Sequence, residues 1–159
     1  MELWDIYDEN EKKTERTMRR VDWQMKPGEY HLTVLGVLQK TDGRYLITKR
    51  KADKEWAPGK WEVSGGGVLA GETSLQAVIR EVGEETGIAV TNARGGYVFS
   101  YKREKSKEKN NYFLDIYKFV LDFDLSDVKI QEEEVAACRL ASKEEIEALA
   151  KQGEFLHYD

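Results

Sequence analysis

The chain has 159 residues, with 25 basic and 30 acidic side chains, a net charge of -5 and a mean hydropathy of -0.66. This length suits one domain or a domain with an extension, and the charge gives no basic field for binding a nucleic acid polymer. A single cysteine, Cys138, excludes an internal disulfide and a multi-cysteine zinc site. No apolar stretch approaches the ~20 residues that cross a bilayer, and the first residues lack the pattern of a signal peptide. We therefore expect a cytoplasmic protein without a membrane partner.

The first 28 residues are charged and show no clean hydrophobic period. Lys26-Pro27-Gly28 marks a turn before the first clear strand. We expect residues 1–28 to form an N-terminal arm that packs on a domain spanning residues 29–159, with a disordered tail as the alternative. The expected anchors of the arm are Trp4, Ile6, Tyr7 and Trp23.

Strands and helices alternate along the rest of the chain. Asp42-Gly43 supplies a tight turn between the first two strands, and Ser142 with Glu145 has the spacing of a capping box at the start of a final helix. This order predicts an α/β (α+β) fold, a mixed sheet with helices packed on it. Segments rich in β-formers predict strands at 31–39, 44–49, 97–101, 112–121 and 135–140.

A helix is predicted between Thr73 and Gly87. Thr73 and Gln76 have capping-box spacing, and Gly87 fits the left-handed position just past a helix end. An apolar stripe with helical spacing is predicted to face the core, and it consists of Leu75, Val78, Ile79 and Val82.

Three glutamates, Glu81, Glu84 and Glu85, fall within one turn of this helix, about 130° from the apolar stripe. Their charges repel by roughly 0.2–0.5 kcal/mol per neighbouring pair, and the helix dipole disfavours anions near the C-terminal end. Carboxylate oxygens are the preferred ligands of Mg²⁺ and Mn²⁺, which would reverse this repulsion. The alternative is a solvated face on a chain that contains 20 glutamates.

The glutamates belong to a longer pattern. Gly66 is followed after five residues by Glu72, and after seven more by Arg80-Glu81-Val82-Gly83-Glu84-Glu85-Thr86-Gly87-Ile88. This segment resembles the signature of the Nudix hydrolases at every defined position. The resemblance implies an α/β/α sandwich with a mixed sheet flanked by helices. It also implies hydrolysis, with Mg²⁺ or Mn²⁺, of a pyrophosphate bond in a small molecule, a nucleoside diphosphate linked to another group.

The resemblance also implies roles for single residues. Glu81, Glu84 and Glu85 would bind the metal together with the backbone carbonyl of Gly66. Arg80 would orient a glutamate of the signature segment, residues 66–88, which we call the box, and Glu72 would support the site.

A glutamate must also take a proton from the attacking water. Family members use either a box glutamate, for which Glu81 and Glu84 are the candidates, or a glutamate on a later loop. Glu134, in the run of three glutamates before the last strand, is our candidate on such a loop. Its alternative is an ordinary solvated charge.

Substrate-binding residues are predicted outside the box. Arg50 and Lys51, at the end of the second strand, are placed to grip phosphates, unless they are a solvated strand end. Trp56 offers an aromatic face on which a base can stack.

Two other functions remain open. The entry to the first strand, Glu29-Tyr30-His31, resembles the branch that contains isopentenyl diphosphate isomerases. Those enzymes need a cysteine near the position of Gly65 and several metal-binding histidines, whereas this chain has a glycine there and two histidines in all. A non-catalytic nucleotide sensor would usually have lost box glutamates. Association of two copies of the chain is also left open.

Overall fold

The computed structural model describes residues 2–22, 24–54, 57–104 and 109–156. The chain divides into two compact units. The first contains residues 1–35, 65–78 and 97–117, and the second contains residues 36–64, 79–96 and 118–159. Among the described residues, no helix combines the length and apolarity needed to cross a membrane.

The fold is α+β, a mixed sheet flanked by two helices, as the sequence predicts. Strands β1 and β2 form a two-stranded antiparallel sheet. A seven-stranded sheet has the order β5-β4-β3-β8-β7, and in it β6 pairs with β3 and β9 pairs with β4. The helices are α1 (Ser74–Thr86) and α2 (Lys143–Lys151). The strands are β1 (Leu3–Tyr7), β2 (Lys13–Arg19), β3 (His31–Lys40), β4 (Tyr45–Arg50), β5 (Trp61–Glu62), β6 (Ser64–Gly67), β7 (Arg94–Arg103), β8 (Tyr112–Leu121) and β9 (Val135–Ala141).

The first unit contains a hairpin, β1–β2, that the sequence pattern does not predict. Its turn has no glycine; instead Glu11 adopts a φ of 60°, and the Asp8 carboxylate accepts hydrogen bonds from two turn amides. Tyr7 exchanges two backbone hydrogen bonds with Tyr30, of 2.8 and 3.0 Å. Trp4, Ile6 and Tyr7 are buried, and Trp23 lies outside the described residues. The division into an arm and a domain stays a prediction.

The second unit has a core under the β4–β9 pair. Ile47 and Ala141 are fully buried there, and Ile146 of α2 packs with them. Ser142 caps α2 through the predicted capping box, since its side chain accepts from the amide of Glu145 at 3.1 Å. Cys138, on β9, is half-buried.

Helix α1 begins and ends where the sequence predicts. The amide of Gln76 donates to the Thr73 hydroxyl at 3.1 Å, and Gly87 follows the helix with a φ of 74°. The predicted apolar stripe is wrong at Leu75, which lies in the first turn and is 48% exposed. Thr86, in the last turn, is fully buried. Its hydroxyl donates to the Val82 carbonyl at 2.6 Å, so the buried polar group has a hydrogen-bond partner.

Candidate functional site

In the second unit, helix α1 presents the glutamates of the box around one arginine. Arg80 Nη1 donates to Glu81 Oε1 at 2.8 Å and lies 3.5 Å from Glu84 Oε2. The Glu81 side chain is 15% exposed, whereas that of Glu84 is 48% exposed. The crowding of negative charge that the sequence predicts is therefore partly neutralised by Arg80, and one of the carboxylates is open to solvent.

The loop that carries Glu134 is attached to the end of this helix. The backbone amide of Lys129 donates to the Thr86 carbonyl at 2.7 Å, and that of Gln131 donates to the Glu85 carbonyl at 3.3 Å. The amide of Glu134 in turn donates to the Gln131 carbonyl at 2.9 Å. Two carbonyls that the helix end leaves without intrahelical partners thus fix the start of this loop.

A charged cluster of the same unit contains Arg50, Lys54, Glu62 and Glu134. Arg50 ends β4 and donates to Glu62 Oε1 at 3.3 Å, with both side chains less than one-fifth exposed. Lys54 forms an ion pair with Glu134. Burial raises the pKa of Glu62, and the nearby Arg50 opposes that rise.

Sequence reasoning missed Glu62 and Lys54. A glutamate beside Trp61 in a short β-forming run, opposite the basic end of the preceding strand, was the available signal for Glu62. Of the predicted substrate-binding residues, Arg50 lies in the charged cluster and Lys51 is half-buried just after β4. Trp56 lies outside the described residues.

Two predicted site residues belong to the first unit. Gly66 lies in β6. Glu72 closes a turn before α1, because its carboxylate accepts from the amide of Leu69 at 2.9 Å and its own amide donates to the Leu69 carbonyl at 3.0 Å. The side chain of Glu72 thus shapes the loop between β6 and α1.

The donor set of α1 fits a hard divalent cation, since it offers carboxylate oxygens from Glu81, Glu84 and Glu85. Within the part of the chain that the structure describes, no three acidic, histidine or cysteine side chains are already arranged to hold a metal ion. Arg80 takes up oxygens of Glu81 and Glu84. Metal binding by these residues therefore requires their side chains to rearrange.

The position of Gly65 has no room for a side chain. A Cβ atom there would lie 2.3 Å from the Val34 carbonyl oxygen and 2.6 Å from Leu35 Cδ2. In the same unit, His31 is buried and stacks on Trp4, with ring centroids 4.2 Å apart. Burial lowers the pKa of His31 to about 4, so the ring is neutral at pH 7. The second histidine, His157, lies outside the described residues.

The chain is similar to known proteins along its whole length. The NUDIX domain model matches residues 29–158. An uncharacterized Nudix hydrolase of Listeria monocytogenes is 42% identical over 159 residues, 99% of this chain and 90% of the relative. The CTP pyrophosphohydrolase of Escherichia coli is 40% identical over 75 residues, 47% of this chain and 53% of that protein. A crystal structure of a Deinococcus radiodurans protein matches with a TM-score of 0.75 at 20% identity. The match covers 96% of this chain and 91% of the Deinococcus chain, and it shows that the two share a fold.

Proposed function

The chain belongs to the Nudix family of hydrolases, and we propose that it cleaves, with Mg²⁺ or Mn²⁺, a pyrophosphate bond of a nucleoside diphosphate linked to another group. The observation that carries this proposal is the arrangement on α1, where Glu81, Glu84 and Glu85 share one turn and Arg80 contacts two of them. The loop of Glu134 is hydrogen-bonded to the end of the same helix.

The proposed chemistry divides among these residues. Glu81, Glu84 and Glu85 would hold the metal, which when bound neutralises phosphate charge and lowers the pKa of the attacking water. Arg80 offsets part of the repulsion between Glu81 and Glu84 in the metal-free protein. Glu134 is the proposed proton acceptor, and its ion pair with Lys54 fixes where the carboxylate lies.

Arg50 is the proposed contact for the substrate phosphates. Its guanidinium is held by Glu62 at 3.3 Å, and a fixed planar fork suits phosphate recognition. Lys51, the next residue, is proposed to add a second positive charge. We also propose that Trp56, which lies outside the described residues, stacks on a base.

The first unit would contribute Gly66 and Glu72, the former through its carbonyl as a metal ligand and the latter by shaping the loop. We propose a small nucleotide as substrate rather than a nucleic acid polymer, and the cytoplasm as the location. The CTP pyrophosphohydrolase relative acts, by its name, on a nucleotide, which supports this substrate class.

Product chromatography with Mg²⁺ or Mn²⁺ tests the proposal. The panel contains nucleoside diphosphate sugars, dinucleoside polyphosphates, dinucleotide cofactors, CoA, plain and oxidised nucleotides, and isopentenyl diphosphate. We expect cleavage of one class, reduced by about 100-fold or more in Glu84→Gln. The matched control is Glu144→Gln, an exposed glutamate of α2, which should keep the wild-type rate.

Two results would contradict hydrolysis. Metal-dependent nucleotide binding without any product would identify a sensor. Conversion of isopentenyl diphosphate to its isomer would identify an isomerase, a function that the comparisons do not confirm and that the closed position of Gly65 disfavours.

A further inference from the structure

We propose that strand β1 positions the loop between Gly66 and Glu72, with Leu3, Trp4 and Asp5 as positioning residues. Three consecutive residues of β1 contact this loop within the first unit. The carbonyl of Leu3 accepts from the amide of Ala70 at 2.8 Å, and Asp5 Oδ2 accepts from the amide of Gly71 at 2.9 Å. Trp4, between them, packs against Gly67.

The contact between Trp4 and Gly67 is close enough to depend on the missing side chain. A Cβ atom on Gly67 would lie 2.9 Å from Trp4 Nε1 and 3.3 Å from Cε2. Trp4 is 7% exposed, and among the described residues its buried Nε1 has no hydrogen-bond partner. The indole therefore packs directly on the backbone of β6, and it is fixed from another side by its stacking on His31.

Asp5 is held in place to receive the Gly71 amide. Its side chain is 10% exposed, and Oδ2 also forms an ion pair of 3.2 Å with Lys13 of β2. A buried carboxylate with a cation and a backbone amide as partners has a well-defined position. The hairpin thus presents a preformed acceptor to the loop.

Described residues hold the loop at its start, middle and end, and β1 provides the contacts in the middle. At its start, the amide of Val68 donates to the Leu32 carbonyl of β3 at 2.9 Å. At its end, Glu72 closes the turn with Leu69. Between them, the amides of Ala70 and Gly71 bond to β1.

The held segment lies directly between two groups of the proposed site, the carbonyl of Gly66 and the carboxylate of Glu72. Release of the segment would therefore loosen the chain that joins Gly66, which β6 holds against β3, to Glu72. The positioning residues precede residue 29, where the match to the family domain begins, so this support comes from the hairpin and not from the matched domain. Its effect on metal binding rests on the proposed function.

The first experiment compares hydrogen exchange in the metal-free, full-length protein. In Asp5→Ala, we expect the amides of the 69–72 segment to exchange about tenfold faster, because one hydrogen bond is lost. Asp5→Asn keeps an acceptor and should retain protection. Glu2→Ala, the matched control, removes the ion pair between Glu2 and Arg20 in the same hairpin and should leave this segment unchanged. Wild-type exchange in Asp5→Ala would overturn the proposal, whatever the enzyme's activity.

The second experiment measures Mn²⁺ binding by electron paramagnetic resonance in the same variants. We expect affinity to fall several-fold in Asp5→Ala and to stay at the wild-type value in Glu2→Ala. Faster exchange of the loop with unchanged Mn²⁺ affinity, in a protein whose hydrolase activity is established, would overturn the link to the metal. Absence of all hydrolysis, with the loop still loosened, would overturn the proposed function and leave the positioning role supported.

A double-mutant cycle tests Trp4 separately. Gly67 does not have a left-handed φ, so Gly67→Ala acts through its Cβ atom against the indole. We expect Gly67→Ala to speed exchange in the loop and weaken Mn²⁺ binding, and Trp4→Phe to restore both in part, because phenylalanine lacks the contacting nitrogen. Independent effects of the two substitutions would overturn the contact as the means of positioning.

Discussion

Each of the two units contains carboxylates that crowd one another, and the two groups are relieved in different ways. In the second unit, the box glutamates of α1 lie around Arg80, which contacts Glu81 and Glu84. In the first unit, burial and the nearby Asp115 carboxylate raise the pKa of Glu11 to about 8. The Arg80 guanidinium offsets the negative charge of the α1 glutamates. Protonation of Glu11 removes the negative charge of the second group.

This difference separates the proposed site from a structural pair. Asp115 is 7% exposed and also accepts from the Ser100 hydroxyl at 2.5 Å. Burial, assisted by the nearby acidic groups, raises the pKa of the adjacent Tyr7 to about 12. Glu84, by contrast, has a side chain that is half exposed. Crowded acidic charge alone does not indicate a metal site, so the proposal for α1 depends also on the solvent access of Glu84.

The largest expected effect comes from removing one charge from the α1 group, which consists of Glu81, Glu84 and Glu85. In Glu85→Gln, turnover should fall by about 100-fold or more, because a proposed metal ligand is lost. The free energy of unfolding should stay level or rise by about 0.2–0.5 kcal/mol, since one like-charge contact is gone. Steady-state kinetics and urea unfolding on the same preparation measure both. Near-normal turnover would show that the α1 group is no more a metal site than Glu11 and Asp115.

Glu134→Gln tests whether proton transfer lies outside the helix. If Glu134 accepts the proton, turnover should fall by roughly 100-fold to 10,000-fold while Mn²⁺ affinity is retained. Glu133→Gln, the exposed neighbour, is the matched control and should behave as wild type. Unchanged turnover in Glu134→Gln would move the base to the α1 glutamates.

Glu11→Gln tests the other group through pH. The folded-state pKa of Glu11 is raised to about 8 from an ordinary value of 4.5, so its proton-dependent stability is complete below pH 4.5 and is lost as pH rises through 8. Wild type should therefore lose stability relative to Glu11→Gln across this range. Thermal unfolding from pH 4 to pH 9 measures the difference. Parallel curves would mean that the pKa of Glu11 is not raised in the folded protein, and activity should be insensitive to this substitution at pH 7.

The smallest expected effect concerns the helix backbone under the α1 group. Gly83 has open space where a methyl group would be added and no left-handed φ, so Gly83→Ala should stabilise the protein by about 0.5–1 kcal/mol. The control is Gly43→Ala, where a φ of 96° makes alanine strained. Chemical denaturation measures both. Loss of activity in Gly83→Ala would show that the lower helix stability caused by Gly83 is needed for function.

The predictions that the structure confirms came from patterns among residues close together in the sequence. Both helices start at capping boxes that a few neighbouring residues define, Thr73 with Gln76 and Ser142 with Glu145. Strand β8 has the bounds predicted from its apolar run, 112–121. The three glutamates of α1 were visible because helical spacing alone places them together.

Features that depend on distant residues were missed. The pair of Glu11 with Asp115 joins positions 104 apart in sequence, and Lys54 with Glu134 joins positions 80 apart. Strand β2 is mostly exposed on both faces, so it lacks the alternation that marks a strand. Leu75 matched the helical period, but the period does not show which turns of a helix are packed against the core. The first turn of α1 is not, since Leu75 is 48% exposed.

The absence of space at Gly65 also bears on how such a chain can change its chemistry. Because the backbone oxygen of Val34 would lie 2.3 Å from any Cβ atom at this position, any substitution there requires β3 or β6 to shift. A reactive thiol cannot be acquired at Gly65 by one exchange without a compensating shift in β3 or β6. In this chain, the close approach of these strands thus opposes the acquisition of a thiol at position 65.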